Sequence, residues 1–180
     1  MPIAIIVVTL CVAIKRNIRR WLQKILRNAM LTIYTDGSCL GNPGAGGWAA
    51  LGRPSPSDLI LSFKICGGDL HTTNNQMELR AAIEGLDKAL DLGEKSVKVF
   101  TDSNYVKDGI TKWIKNWEKK NWKTSTGSDV KNQKLWKKLS ELSKKFLSLE
   151  WEWVKAHNGD PNNEAVDTLA RKTAELISGN

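Results

Sequence analysis

Alternation of apolar and polar positions starts at residue 31 and organises the chain from there to its end. Residues 31–36, 46–52 and 59–67 are short apolar or alternating stretches separated by Gly, Pro, Asn and Ser, which predicts three strands joined by turns. Three strands in series imply an antiparallel meander. From 75 to 92 the period lengthens to that of a helix, with Leu79, Ala82, Ile83, Leu86 and Leu90 on one face and Gly93 as its stop. Residues 96–101 return to a strand pattern, 103–117 and 131–146 to helices, 149–155 to a strand and 162–177 to a helix. That order predicts an α/β domain: a five-stranded mixed sheet, three antiparallel strands then two parallel, flanked by helices.

Residues 1–29 follow a different pattern. An apolar run over 2–14 is shorter than the roughly 20 residues a bilayer span needs, and it has neither a positive leading region nor a small-residue cleavage site. Behind it Ile14, Ile18, Trp21, Leu22, Ile25 and Leu26 recur at helical spacing, with Lys15, Arg16, Arg19, Arg20, Lys24 and Arg27 opposite. Such a basic amphipathic helix suits an anionic membrane surface, an organellar address, or an extension upstream of a working start at Met30. The expected division is a 1–29 extension, either a disordered tail or outside the working protein, and a catalytic domain over 30–180.

Charge changes the picture by its placement. Of a formal net +8, the 1–29 segment carries six basic residues and no acid. Residues 112–145 hold eleven lysines against Glu118, Asp129 and Glu141, interleaved with Trp113, Trp117, Trp122 and Trp136. That is a surface suited to tracking phosphates, or else a solvated helical face with tryptophans as core. Cys11, Cys39 and Cys66 are odd in number, lack CxxC spacing and have no neighbouring histidines, so neither a disulfide framework nor a zinc site is expected and a reducing compartment fits.

Four carboxylates, Asp36, Glu78, Asp102 and Asp167, each stand at a predicted strand end or helix start. Hard oxygen ligands gathered from distant points suit Mg²⁺ or Mn²⁺. Each also has a plainer reading. Asp36 in TDGS is a turn residue, Glu78 three after Asn75 has capping-box spacing, Asp102 before Ser103 serves a helix N-terminus, and Asp167 pairs with Arg171 at i,i+4.

Context separates the two. TDGSCLGNPGAGGWA, TTNNQMELRAA, FTDSNYVKDGITKWIKNW and WEWVKAHNGDPNNEAVDTLAR, in that order, resemble type 1 ribonuclease H of the bacterial kind across residues 31–178. The resemblance implies the ribonuclease H-like fold. It also implies an endonuclease hydrolysing the RNA strand of an RNA·DNA hybrid to 3′-hydroxyl and 5′-phosphate ends. The family's metal ligands fall on Asp36, Glu78, Asp102 and Asp167, serving two Mg²⁺ ions, with Mn²⁺ as an alternative. His157 matches the histidine that assists proton movement or product release, and Asn163 a position that helps hold the site.

The resemblance further implies that Cys39, Asn42, Asn74, Asn75 and Asn104 reach the minor groove, while Thr73 and Asn132 belong to a pocket for a DNA-strand phosphate. Trp113 and Trp117, with Lys119, Lys120 and Lys123 beyond them, match the basic protrusion and DNA-side channel. His71 stands where many relatives carry arginine, so this pocket is expected to be weaker at neutral pH. A monomer in the cytoplasm is expected, with an organelle as the alternative should residues 1–29 be an address. A proofreading-type exonuclease would open with Asp-x-Glu, whereas Asp36 is followed by Gly37 and Ser38. A non-catalytic binding module would have lost a carboxylate, and a membrane-attached protein would depend on residues 1–28.

Overall fold

A computed structural model of the chain describes residues 30–54 and 62–179. The elements are β1 (Leu31–Leu40), β2 (Gly44–Pro54), β3 (Phe63–Thr72), α1 (Asn74–Asp91), β4 (Ser96–Thr101), α2 (Asn104–Asp108), α3 (Ile114–Lys119), α4 (Gln133–Ser143), β5 (Ser148–Trp153) and α5 (Pro161–Ser178). The sheet order is β3-β2-β1-β4-β5. β1 pairs antiparallel with β2 and β2 with β3, while β1–β4 and β4–β5 are parallel. This is the expected mixed sheet, with β1 at its centre.

Strand periodicity divides the core between two faces. Leu31 and Ile33 of β1 and Ala50 of β2 point to one side, where they pack with Leu79, Ala82, Ile83 and Leu86 of α1 and with Trp136 and Leu139 of α4. Tyr34 of β1 and Ala49 and Leu51 of β2 point to the other, against Val166 and Ala170 of α5. Successive strand residues therefore serve opposite layers, and a slip of one residue would exchange them.

Several boundaries differ from expectation, the first of them for identifiable reasons. β1 does not turn at Asp36–Gly37 but continues to Leu40, with Gly37 opposite Trp48. A Cβ on Gly37 would lie 2.3 Å from the Glu78 nitrogen, so this glycine admits the first turn of α1 against the strand rather than reversing the chain. The reversal falls at Gly41–Pro43, where the Asn42–Pro43 bond is cis. The 103–117 helix is interrupted by a π-helical turn over Gly109–Trp113. There a Cβ on Gly109 would meet the Trp136 ring at 2.0 Å. α4 is shorter than its pattern, starting after Asn132 in a left-handed conformation. β3 starts at Phe63 and runs on to Thr72.

α5 starts as its composition dictates: Asp160 accepts from the Asn162 and Asn163 amides, and Pro161 takes the first helical position. The expectations for residues 1–29, and for residues 59–61 as the start of a strand, lie outside the described residues. No helix among the described residues is long and apolar enough to cross a membrane.

Candidate active site

Parallel pairing places the centre. Thr35 of β1 lies in register with Thr101 of β4, so Asp36, still within β1, and Asp102, just past the end of β4, follow side by side. The tight contact at Gly37 brings Glu78 of α1 onto the same spot. One carboxylate oxygen from each of Asp36, Glu78 and Asp102 lies within 4.8 Å of the others. Asp36 and Glu78 are each only 5% exposed.

The plainer readings of these residues do not survive the geometry. The capping partner of α1 is Gln76, whose Oε1 accepts the Thr73 amide at 3.0 Å, so Glu78 caps nothing. Ser103 is the cap of α2, its Oγ accepting from the Val106 amide at 3.4 Å, which leaves Asp102 without that task. Asp167, on α5, has His157 Nδ1 at 3.9 Å from its Oδ2, and among the described residues no ion pair joins it to Arg171.

The electrostatics follow from crowding. Burial raises the Asp36 carboxyl from 3.8 to about 7, helped by the charge of Asp102 and by the charge and side-chain contact of Asp167, and opposed by the Gly37 amide. That amide donates to Asp36 Oδ1 at 2.8 Å. Burial also pushes Glu78 well above the usual carboxylate range, with Asp36 and Asp102 adding to it. Like charges so close disfavour one another unless a cation lies between them. Glu78 Oε2 is buried with no hydrogen-bond partner among the described residues, an arrangement that costs free energy in a protein interior but suits an oxygen facing a metal. The donor set fits a hard divalent cation.

Asp102 is held at two points. Asn163, 2% exposed on α5, donates from Nδ2 to Asp102 Oδ2 at 3.2 Å. The Trp153 indole N–H donates to the Asp102 backbone carbonyl at 2.9 Å. Sequence motifs alone do not mark Gly37 or Trp153 as site residues. A glycine directly after a candidate ligand is a usable signal for the first; nothing local marks the second. His157 sits in the loop between β5 and α5 with a positive φ of 51° and a side chain 74% exposed.

The residues expected to meet substrate occupy several places in the fold. The Cys39 thiol faces the carbonyls of Gly41 at 3.0 Å and Thr72 at 3.4 Å. Asn42 Oδ1 accepts the Asn74 amide at 3.2 Å, joining the β1–β2 turn to the start of α1, and Asn74 Nδ2 lies 3.5 Å from Glu78 Oε1. Asn75 and Asn104 are exposed in the first turns of their helices. Asn132 donates to the Tyr105 hydroxyl at 3.2 Å and lines a cavity of about 620 Å³ with His71, Thr72, Arg80 and Lys134; Thr73 follows directly after Thr72. Trp136 is fully buried, Trp117 packs edge-on to it at 5.4 Å, and Trp113, 37% exposed, leans on Trp117 at 5.7 Å. Lys119, Lys120 and Lys123 are exposed, Lys123 pairing with Asp129 at 2.8 Å.

A mixed five-stranded sheet carrying acidic residues on its central strands has close structural counterparts. LC9 ribonuclease H1, described as a type 1 enzyme with the type 2 active-site motif, superposes with a TM-score of 0.73 at 30% identity, covering 83% of this chain and 74% of that one. The N-terminal ribonuclease H domain of a Mycobacterium tuberculosis protein gives 0.69 at 25% identity, covering 84% and 98%. The fold is ribonuclease H-like. In sequence, the RNase H family model matches residues 28–175. Ribonuclease HI of Xylella fastidiosa (strain Temecula1) is 48% identical over 81% of this chain and 92% of its own length, and ribonuclease H of Maricaulis maris 49% identical over 79% and 91%. The chain belongs to the ribonuclease H family.

Proposed function

We propose that this chain is an endonuclease that hydrolyses the RNA strand of RNA·DNA hybrids with Mg²⁺ as its working ion and Mn²⁺ as a substitute, leaving 3′-hydroxyl and 5′-phosphate ends. The observation that carries this is the convergence of Asp36, Glu78 and Asp102 within 4.8 Å, one buried oxygen unpartnered, on a ribonuclease H-like sheet. Asp36, Glu78, Asp102 and Asp167 would hold two ions. Bound divalent cations supply charge neutralisation at the scissile phosphate and a more acidic attacking water.

The protein's own residues do the rest. Asn163 orients Asp102, and His157, exposed and facing Asp167, receives or passes a proton near the leaving oxygen. Cys39, Asn42, Asn74, Asn75 and Asn104 would line the minor groove, where the 2′-hydroxyl distinguishes the two strands. Thr73 and Asn132 would seat a DNA-strand phosphate, with His71 beside them. Trp113, Trp117, Lys119, Lys120 and Lys123 would follow the DNA strand. The working unit is residues 30–180, a cytoplasmic monomer, with residues 1–29 dispensable for cleavage.

The test is an end-labelled RNA·DNA hybrid incubated with protein and Mg²⁺, beside duplex DNA and duplex RNA of the same sequence. Internal cuts in the RNA strand alone, with 3′-hydroxyl termini, are expected. Cutting from one end only, or equal cutting of duplex DNA, would overturn the assignment.

A further inference from the structure

We infer that Trp153 is a positioning residue of the metal centre: its indole N–H fixes the backbone of Asp102 and thereby sets where that carboxylate presents its oxygens. This rests on the reading of Asp102 as a metal ligand.

Trp153 is the last residue of β5 and lies in parallel register with Thr101. The ladder's last bond runs from the Val154 amide to the Thr101 carbonyl at 3.0 Å, and α2 opens with the Lys107 amide donating to the Ser103 carbonyl at 3.0 Å. Asp102 falls between the two. Its carbonyl belongs to neither the sheet nor the helix, and the donor that reaches it is the Trp153 indole, at 2.9 Å. Trp153 is 41% exposed, so packing covers only part of it, and an isosteric replacement that keeps the ring separates packing from the hydrogen bond. An indole has a single donor, its N–H, and here that donor is directed at the one residue in the strand–helix junction whose side chain enters the acidic cluster.

The two contacts on Asp102 are complementary. Asn163 on α5 holds Oδ2 at 3.2 Å, which restrains the end of the side chain. Trp153 on β5 holds the carbonyl, which restrains the peptide plane from which that side chain springs. Remove the second, and the plane between residues 102 and 103 keeps only the bond from the Ser103 amide to Thr101 Oγ1 at 3.1 Å, so the carbonyl end loses its anchor and the carboxylate can shift while Asn163 retains only one oxygen. Partners that orient a ligand in this way typically change metal affinity or activity by about 10- to 100-fold when removed. An exposed aromatic ring beside a nucleic-acid site has one rival use, stacking on a base or sugar, and that use makes the opposite prediction.

The experiment replaces Trp153 with 3-benzothienylalanine, in which sulfur takes the place of the indole N–H at nearly unchanged shape, and in parallel makes Trp153→Phe. Mn²⁺ binding is measured by calorimetry without nucleic acid, and hybrid affinity is measured in EDTA. Both variants are expected to bind Mn²⁺ about 10-fold more weakly with hybrid affinity in EDTA unchanged. The Mn²⁺ midpoint of cleavage should move upward while the rate at saturating metal stays near wild type. Unchanged Mn²⁺ affinity in the benzothienyl protein overturns the inference, including the case where only Trp153→Phe loses metal, which would make the ring a packing element. A fall in hybrid affinity with metal affinity intact overturns it in favour of stacking. Failure of the unaltered protein to bind Mn²⁺ at all is a separate result, and sinks the reading of the carboxylates themselves.

Discussion

In the carboxylate centre Asp36 and Glu78 are each 5% exposed and their acidities are pushed far from normal, whereas Lys119, Lys120 and Lys123 stand in solvent. The first region concentrates like charge in a low-dielectric position and holds it there with the rigid crossing of β1, β4 and α1. The second spreads positive charge over α3 and the turn after it, above an aromatic stack anchored by the buried Trp136. Crowded, buried groups act as a unit, so removing one ligand should disable all; dispersed, exposed charges act nearly independently, so each removal should subtract a small amount.

The largest expected effect is at the centre. Asp36→Asn or Asp102→Asn keeps shape but removes a negative ligand. Cleavage should fall by several kcal/mol of transition-state stabilisation, roughly 10³-fold or more, with hybrid binding in EDTA nearly intact. Near-normal turnover in either variant would mean that the cluster is not the reacting centre.

His157→Ala should come next, slowing turnover by about 10²-fold, the lower end of the range for general acid–base groups. Its side chain stands far enough into solvent that the fold should be indifferent. A rate indistinguishable from wild type between about pH 6 and 9 would return His157 to the status of a solvated loop residue.

The basic segment should respond gradually. Changing Lys119, Lys120 and Lys123 together to alanine should weaken hybrid affinity and flatten the slope of log affinity against log salt by up to about 0.7–0.9 for each phosphate no longer neutralised, while the rate at saturating hybrid holds. Deleting residues 1–29 should leave that slope unchanged. If the deletion collapses affinity and the triple change does nothing, the anchor lies in the N-terminal segment.

The smallest effect tests the electrostatics without substrate. Because the folded Asp36 binds its proton up to about pH 7 against 3.8 ordinarily, the folded chain holds a proton that the unfolded chain has released between those values. The metal-free protein should therefore lose stability as pH rises through that window, and Asp36→Asn should flatten the loss. Thermal midpoints of both proteins in EDTA at about pH 5 and pH 8 give the comparison. A parallel dependence in the two would show that Asp36 carries no such proton.

Much of this was legible in the sequence because it depends on periodicity. The two-residue alternation of Leu31, Ile33 and Tyr34 and the helical spacing of Leu79, Ala82, Ile83 and Leu86 reappear as the two core faces. What escaped was set by tertiary packing. Asp-Gly is a turn signal in isolation, yet Gly37 is there to let α1 close on β1. Gly109 reads as an ordinary helical residue, and its need for a bare Cα lies in Trp136, on another helix. The bond from Trp153 to Asp102 spans two strands that pair only through their register, and no local pattern encodes it. The order of four distant motifs carried the candidate site further than any single residue did, since each carboxylate alone had a plainer use.

The place of Asp36 in the sheet also bears on how the centre moves. β1 is the middle strand of five, bonded on both sides from Leu31 to Thr35, the stretch that leads into Asp36, and the amides of that stretch should exchange with solvent only when the whole domain opens. His157 and Asn158, on an exposed loop, belong to the opposite end of that scale and should exchange through small local openings. The constellation proposed for catalysis thus joins the slowest-opening strand to one of the fastest loops. Its metal-holding half would persist through every fluctuation short of unfolding, while its proton-handling half could leave and return many times in one turnover.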